Sequence, residues 1–159
     1  MTGGNNPADL ELITHGRLEV SGRLVDASNA TLYCTIELDG RAGHAVYKPI
    51  AGERPLWDFP HGTLAGREVA TYAVAEATGL GLVPPTVLRD GPFGPGMVQL
   101  WIEAPAGELV DIRRPADVPE GWCHVLVARD RAGGPVVLAH ADRPDVAELA
   151  VLDIVVNNT

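Results

Sequence analysis

Two turn signals divide the first third of the chain into three short strand patterns. Apolar and polar residues roughly alternate from Ile13 to Val25, and the polar turn Asp26–Ala30 ends this first pattern. β-Branched and aromatic residues are frequent from Thr31 to Leu38, Asp39-Gly40 is typical of a tight turn, and a third pattern covers His44–Ile50. Consecutive strands joined by short turns pair antiparallel, so the sequence predicts an antiparallel sheet in this region.

One helix and two further strands follow. Thr63 is a residue type that favours the start of a helix and Gly79 favours its end, so a helix is predicted from Thr63 to Thr78. Strand patterns then cover Val83–Leu88 and Met97–Ile102, separated by a turn-rich segment. The predicted order for this part of the chain is therefore three strands, one helix and two strands.

The last third of the chain has a different pattern. A proline-containing connector covers residues 103–120, and a hairpin is predicted from His124–Ala128 and Val136–His140. Asp142 and Pro144 are predicted to open a final helix, since Pro144 is typical of a first turn. Because the apolar residues of this helix lie nearly all round it, we expect it to be buried on several sides.

Composition argues against several classes of protein. The formal net charge is −9, and nucleic-acid-binding proteins normally present positive charge to phosphates, so no nucleic-acid partner is expected. The longest apolar run, Leu149–Val156, is too short to cross a bilayer, so no transmembrane segment is predicted. Cys34 and Cys123 have no paired spacing and are expected to be reduced thiols in a cytoplasmic protein. The five histidines show no metal-ligand spacing, so no metal site is predicted.

The lysine of the third strand is the first candidate functional residue. Alternation places Lys48 on the same face as Val46 and Ile50, and an ammonium on an apolar face needs a partner. The following helix offers Glu68 and, as a second candidate, Glu76. A lysine on the third of five strands, held by a helix carboxylate, is the plan of a kinase small lobe, in which the lysine contacts ATP phosphates. The alternative is a surface lysine and a solvated glutamate.

Two other segments occupy positions where a kinase holds its nucleotide. The turn after the first strand contains Ser28 and Asn29, which together with neighbouring backbone N–H groups are candidates for an anion site. A plain polar hairpin turn is the commoner explanation for such a segment. The end of the fifth strand is the position of a kinase hinge, where adenine would meet backbone groups. The residues there are Gln99, Leu100, Trp101 and Ile102, and the alternative is that the aromatic ring belongs to the core.

Several long strings of the sequence resemble a known family. The strings GERPLWDFP, GPGMVQLW and LAVLDIVVNNT are similar to a bacterial family of phosphatidylinositol 3-/4-kinase-like proteins, and the resemblance covers the chain from about Gly16 to Thr159. It implies a protein-kinase-like fold and ATP-dependent phosphoryl transfer. It further implies that Lys48 is the ATP lysine and Glu68 its helix partner. The hinge would then comprise Gln99 to Ile102, and Val46 would line the nucleotide site.

The resemblance also implies that part of the catalytic machinery lies outside this sequence. In the family the VVNN stretch continues into Asp-Arg and a metal-binding segment, so the catalytic aspartate and the magnesium ligands are expected beyond Thr159. The chain as given is therefore expected to bind ATP without turnover. The phosphoryl acceptor is left open between a lipid, a protein and a small molecule. The alternative function is a non-catalytic, pseudokinase-type nucleotide-binding or interaction module.

These expectations combine into one architecture. The chain is predicted to be α+β, with a protein-kinase-like small lobe made of an antiparallel sheet and one packed helix, followed by the start of a helical large lobe. Residues 1–12 are expected to form a flexible tail and residues 13–103 the nucleotide-holding lobe. Residues 104–159 are expected to supply a connector, a hairpin and the first helix of the second lobe. An apolar face of that helix, residues 146–156, is expected to favour self-association.

Overall fold

The computed structural model describes residues 6–24, 29–103 and 109–157. Over these residues the protein is α+β, with two antiparallel sheets and three α-helices. The chain divides into two compact units, Met1–Ile102 and Glu103–Thr159, and each unit contains one of the sheets.

The first unit is a five-stranded antiparallel sheet with two α-helices. Its strands are ordered β1-β2-β3-β5-β4, so the last two strands of the unit complete the sheet next to β3. The predicted order of three strands, one helix and two strands is confirmed. The elements are α1 Pro7–His15, β1 Arg17–Arg23, β2 Leu32–Leu38, β3 Arg41–Pro49, the 3₁₀ turn Ile50–Gly52, α2 Leu64–Thr78, β4 Thr86–Gly91 and β5 Gly94–Leu100.

Helix α1 occupies residues that the sequence pattern assigned to a flexible tail. The tail expected for residues 1–12 is wrong from Pro7 onwards, and the first strand begins at Arg17 instead of Ile13. Asn6 caps the helix, because its side chain accepts a hydrogen bond from the N–H of Ala8 at 3.1 Å. At the other end the guanidinium of Arg89 donates to the carbonyl oxygens of Ile13 and Gly16, which lie at and just after the last turn.

The core of the first unit lies between α1 and one face of the sheet. Leu12 and Ile13 of α1 are almost fully buried, and they belong to one cluster with the sheet residues Ala45, Tyr47 and Val98. The Tyr47 hydroxyl donates to the Gly94 carbonyl at 2.6 Å and accepts from the N–H of Phe93 at 3.2 Å. The hydroxyl of the buried Tyr47 ring therefore has hydrogen-bond partners, which a polar group in a protein interior normally needs.

Helix α2 is the helix predicted from the sequence, but its start is built differently. Gly79 ends it in the left-handed conformation, with φ of 70°, as expected for a glycine after the last turn. The predicted Thr63 cap is wrong, because Thr63 forms no capping bond and its hydroxyl donates to the Pro60 carbonyl at 2.6 Å. The capping acceptor comes instead from Glu53, in the loop before the helix.

The second unit is a three-stranded antiparallel sheet followed by a helix. Its elements are β6 Val110–Arg113, the 3₁₀ turn Pro115–Asp117, β7 Trp122–Arg129, β8 Pro135–Ala141 and α3 Pro144–Val156, with the strands ordered β6-β8-β7. The predicted hairpin is confirmed, and its turn is closed by Asp130, whose carboxylate accepts from the N–H groups of Ala132 and Gly134. Strand β6 lies inside the segment 103–120, which was predicted to be a proline-containing connector.

The final helix α3 is exposed over most of its surface. Among the described residues only Val146 and Leu152 of this helix are buried, whereas Val151, Ile154 and Val155 are 59%, 80% and 66% exposed. The expectation that α3 is buried on several sides is therefore wrong for the part of the chain that the structure describes. Its apolar residues lie all round it, but the described chain covers only a narrow strip. No helix in the described ranges combines the length and apolar character needed to cross a membrane.

Candidate functional site

The first feature of the site is an ion pair between the third strand and the helix that follows it. Lys48 Nζ lies 3.0 Å from Oε1 and 2.8 Å from Oε2 of Glu68, so both carboxylate oxygens accept from one ammonium. The two side chains are 29% and 33% exposed. The predicted pairing of Lys48 with Glu68 is confirmed, and Glu76, the second candidate, is exposed. An ammonium has three N–H groups, so the pair leaves one of them for a further acceptor.

The strand register shows which residues share a sheet face with Lys48. Lys48 lies opposite Met97, Val46 lies opposite Gln99, and Tyr33 lies opposite Val46. Residues directly opposite each other on paired strands point to the same face, and alternate residues along one strand do so too. One face of the sheet, named here the Lys48 face, therefore carries the side chains of Tyr33, His44, Val46, Lys48, Met97 and Gln99. It is the reverse of the face that carries Tyr47 and packs against α1.

Three aromatic rings cluster on the Lys48 face. Tyr33 stacks on His44 with ring centroids 5.2 Å apart and an interplanar angle of 17°. The ring of Trp101 meets Tyr33 edge-on, also at 5.2 Å. Trp101 was predicted as a nucleotide-site residue, whereas Tyr33 and His44 were not. Finding Tyr33 requires the register between β2 and β3, which a single sequence does not contain, although alternation already placed His44 beside Val46 and Lys48.

The end of β5 offers fewer free backbone groups than the sequence led us to expect. The N–H of Leu100 donates to the Pro85 carbonyl at 3.0 Å, and the N–H of Trp101 donates to the His44 carbonyl at 2.9 Å. The Gln99 side chain donates to the hydroxyl of Thr86, which is 1% exposed. The backbone of Ile102 forms no hydrogen bond with any described residue. Two of the four residues predicted to meet adenine therefore have their N–H groups occupied, whereas the N–H of Ile102 has no acceptor among the residues that the structure describes.

The turn between β1 and β2 does not present the predicted anion site through its described atoms. Ser28 lies outside the described residues. Asn29 Oδ1 accepts from the N–H of Arg54 at 2.9 Å, and the N–H of Ala30 donates to the Gly52 carbonyl at 3.1 Å. These two groups are therefore used to hold the loop after β3, and they are not available to an anion.

Glu53 is a site residue that the sequence pattern did not indicate. Its two carboxylate oxygens accept from the N–H groups of Leu64 at 3.2 Å and Ala65 at 2.7 Å, the first two residues of α2. A carboxylate at this position both satisfies orphan N–H groups and complements the positive end of the helix dipole. Helix caps recognised from sequence lie next to the helix, whereas Glu53 reaches α2 from 11 residues before Leu64.

A small pocket lies in the loop before α2 and does not include the ion pair. Its volume is about 170 Å³, and it is lined by residues of the segment 50–64, among them Glu53, His61 and Leu64. This is below the roughly 300–1,000 Å³ typical of small-molecule sites. The Lys48 face of the first unit differs from this pocket, because it combines an ammonium group that has one N–H left with stacked aromatic rings.

No metal site is formed by the described side chains. Within residues 6–24, 29–103 and 109–157, no group of three or more His, Cys, Asp or Glu residues is placed to hold a metal ion.

A comparison with known proteins shows a relative that matches most of this chain. The chain is 48% identical over 158 residues to Protein Rv2133c of Mycobacterium tuberculosis (strain ATCC 25618 / H37Rv). The match covers 92% of this chain and 56% of that protein, so the chain spans about half the length of the relative. No family model matches the chain, and no solved structure matches it significantly.

Proposed function

We propose that this protein binds ATP on the Lys48 face and is the nucleotide-holding part of an ATP-dependent phosphotransferase. The observation that carries the proposal is the pair between Lys48 on the third strand and Glu68 on the next helix, with N–O distances of 2.8 and 3.0 Å. In protein kinases a strand lysine held by a helix glutamate contacts the α- and β-phosphates. The remaining N–H of Lys48 supplies that contact here.

The choice of lysine at this position supports a ligand contact. Lys48 is the only lysine in the chain, so the other 11 of the 12 Lys and Arg residues are arginines. A purely structural pair with one carboxylate is served at least as well by arginine, whose planar fork matches a carboxylate with two parallel hydrogen bonds. A lysine ammonium is a compact charge that can contact a carboxylate and a phosphate oxygen together.

The aromatic cluster supports a position for the base. Tyr33, His44 and Trp101 lie on the same face as Val46 and Lys48, and flat rings favour stacking with a planar heterocycle. Ile102 follows Trp101 and has backbone groups without partners among the described residues. In this proposal the base lies near Tyr33 and Trp101, the Ile102 backbone contacts its edge, and the phosphates extend towards Lys48.

The kinase assignment rests on the sequence resemblance together with this geometry. The resemblance is to phosphatidylinositol 3-/4-kinase-like proteins, and after α1 the first unit has three strands, one helix and two strands, the order expected from that resemblance. The name of the relative Rv2133c carries no statement of activity. The acceptor of the phosphoryl group is not specified by the Lys48 face, because related folds phosphorylate different substrates.

A thermal-shift experiment tests binding directly. ATP, with and without magnesium, is added to the wild-type chain, to Lys48→Met and to the control Arg41→Gln, whose charged group lies in a different pair with Asp9. A ligand that binds only the folded state stabilises it by about 2.7 kcal/mol at 100 times its Kd. We expect ATP to raise the melting temperature of the wild type and the control, and to have little effect on Lys48→Met. No shift in any chain at millimolar ATP would overturn the proposal.

Binding and phosphoryl transfer are separate parts of the proposal. A chain that binds ATP but belongs to a protein without transfer activity would be a regulatory nucleotide-binding module, which is the alternative function. Radiolabelled ATP incubated with the full natural protein and with its Lys48→Met variant distinguishes the two. Label that appears in an acceptor or as free phosphate only with the wild type supports a phosphotransferase. Binding without any release or transfer of label supports the regulatory module.

A further inference from the structure

Helix α2 begins with a cap that comes from a distant residue. The local candidate, Thr63, does not cap, because its hydroxyl is bonded to Pro60. The Glu53 carboxylate instead accepts from the N–H groups of Leu64 and Ala65, and it is the side-chain cap that the described residues provide for this helix. The conformation of the first turn of α2 therefore depends on where the chain holds Glu53.

Glu68 lies directly after this capped turn. The first helical bond at this end joins the N–H of Arg67 to the carbonyl of Thr63 at 3.0 Å. Glu68 is the next residue, and helical geometry directs its N–H to the carbonyl of Leu64, the first residue of α2. Fraying of the first turn would remove this anchor and let the Glu68 carboxylate move away from Lys48. The position of Glu68 therefore depends on Glu53, because Glu53 holds the first turn of α2 and Glu68 follows that turn.

Glu53 is itself held from both sides by the turn between β1 and β2. The residue before it, Gly52, accepts a backbone hydrogen bond from Ala30, and the residue after it, Arg54, donates its N–H to Asn29 Oδ1. The contact is close, because a Cβ added to Gly52 would lie 2.5 Å from the Cβ of Ala30. A glycine is therefore required at position 52, and the loop has little freedom to shift relative to the turn.

We propose that Glu53 is a positioning residue that holds Glu68 against Lys48, and that Asn29 positions Glu53 in turn. The chain of contacts runs from the β1–β2 turn through residues 52–54 and the first turn of α2 to the ion pair. The consequence for ATP rests on the proposed function: loss of Glu53 would weaken the contact between Lys48 and a bound triphosphate. The positioning of Glu68 by Glu53 does not require a bound ligand.

If Glu53 only stabilised α2, its replacement would have a different effect on Lys48. A matched variant at the other end of the helix distinguishes the two roles. Gly79→Ala weakens α2 at its other end, because Gly79 has φ of 70° and alanine is strained there. Glu53→Ala weakens the first turn. Both are expected to lower the stability of the chain in urea. If Glu53 only stabilises the helix, the two variants should affect Lys48 alike; if it positions Glu68, only Glu53→Ala should affect Lys48.

The environment of Lys48 can be measured without interference because the chain has no other lysine. In protein labelled with ¹⁵N-lysine, the side chain of Lys48 contributes one ammonium signal, which is visible when hydrogen bonds slow proton exchange with water. Mass spectrometry of an acylated peptide gives the rate at which an amine reagent modifies the same nitrogen. We expect Glu53→Ala to broaden or remove the signal and raise the acylation rate about 3- to 10-fold, and Gly79→Ala to leave both near wild type.

The remaining variants and ligands make the outcome decisive. Glu53→Gln keeps an acceptor oxygen but loses the charge, so it should fall between the wild type and Glu53→Ala, and it replaces Glu53→Ala if that variant does not fold. Asn29→Ala should change the Lys48 signal in the same direction by a smaller amount. If ATP binds, Glu53→Ala should weaken ATP about 3- to 10-fold and leave adenosine unchanged. Lys48 signals that are identical in the Glu53 variants and the wild type would overturn the proposal, whether or not ATP binds.

Discussion

Lys48 Nζ lies within 3.0 Å of both carboxylate oxygens of Glu68, and the two residues are separated by 20 positions in the chain. The pair connects β3 to α2 on the face of the sheet opposite the α1 core. Both side chains are about one-third exposed, so the pair is neither a buried structural pair nor a freely solvated one. The exposed part of the Lys48 side chain can contact a ligand in place of water while the ammonium stays paired with Glu68.

The strength of the pair is predicted to exceed that of a surface pair. A double-mutant cycle with Lys48→Met and Glu68→Gln should give a coupling free energy of about 1 kcal/mol, measured by urea unfolding. The matched control is the pair of Arg17 and Glu19 on β1, whose side chains are 71% and 60% exposed. Solvent screens that pair, so its coupling should be within about 0.5 kcal/mol of zero. Equal couplings in the two cycles would contradict the prediction.

The backbone beside Lys48 is predicted not to tolerate a side chain at position 96. A Cβ added to Gly96 would lie 2.5 Å from the carbonyl oxygen of Lys48 and 2.6 Å from the Tyr47 ring. Gly96→Ala must therefore shift β3 against β5, and it should lower the free energy of unfolding by about 1–3 kcal/mol.

The control for this prediction is a glycine with open space around it. Gly66 lies in α2, and a Cβ added there meets nothing within 4 Å. Because alanine favours helix, Gly66→Ala should raise the free energy of unfolding by about 0.5–1 kcal/mol. Urea unfolding of both variants provides the measurement. A stable Gly96→Ala protein with wild-type unfolding would show that β3 and β5 are not packed as closely as described.

The two cysteines are predicted to differ in reactivity and in pH dependence. Cys34 is fully buried, and burial raises the pKa of its thiol from 9.0 to about 11, whereas Cys123 is exposed. An alkylating reagent should therefore modify Cys123 and spare Cys34 in the folded chain. The unfolded chain ionises Cys34 near pH 9, so its stabilising contribution is complete below pH 9 and is lost as the pH rises towards 11.

Urea unfolding at pH 8, 9 and 10 measures this contribution. The Cys34→Ala variant lacks the thiol, so the difference in stability between it and the wild type should shrink with rising pH. A difference that stays constant over this range would contradict the raised pKa of Cys34.

The exposed side of α3 is predicted to cause self-association. Ile154 is 80% exposed and lies beside the exposed Val151 and Val155, which together form an apolar surface of the kind that marks contact sites. Sedimentation velocity should detect oligomers of the wild-type chain, and Ile154→Asp should reduce them without lowering the free energy of unfolding. Glu148→Gln, on an exposed polar position of the same helix, is the control and should leave the oligomers unchanged. Monomers at all concentrations would contradict this prediction.

The predictions from sequence succeeded where local pattern decides the structure. The alternation of apolar and polar residues predicted β3 and the sheet face on which Lys48 lies. Gly79 predicted the end of α2. Both features are determined by residues that are close together in the sequence. The pairing of Lys48 with Glu68 was predicted because an ammonium on an apolar strand face needs a charged partner, and the next helix offers a carboxylate.

The errors arose where distant parts of the chain decide the outcome. The cap of α2 comes from Glu53 in the preceding loop, and Asn29 binds Arg54 instead of remaining free for an anion. The helix at Pro7–His15 was missed because it is short, and much of its burial depends on the sheet. The same holds for Tyr33, which reaches the site only through the pairing of β2 with β3.

Calorimetric titration with ATP and adenosine tests most directly whether Lys48 holds the phosphates of ATP, as proposed. Deleting a charge-assisted contact costs about 1.5–3 kcal/mol, which corresponds to roughly a 10- to 100-fold loss of affinity. We predict this loss for ATP with Lys48→Met and an unchanged affinity for adenosine, because the proposed binding mode places the base on the rings and backbone away from the lysine. ATP affinity that is equal in the wild type and Lys48→Met would contradict the claim.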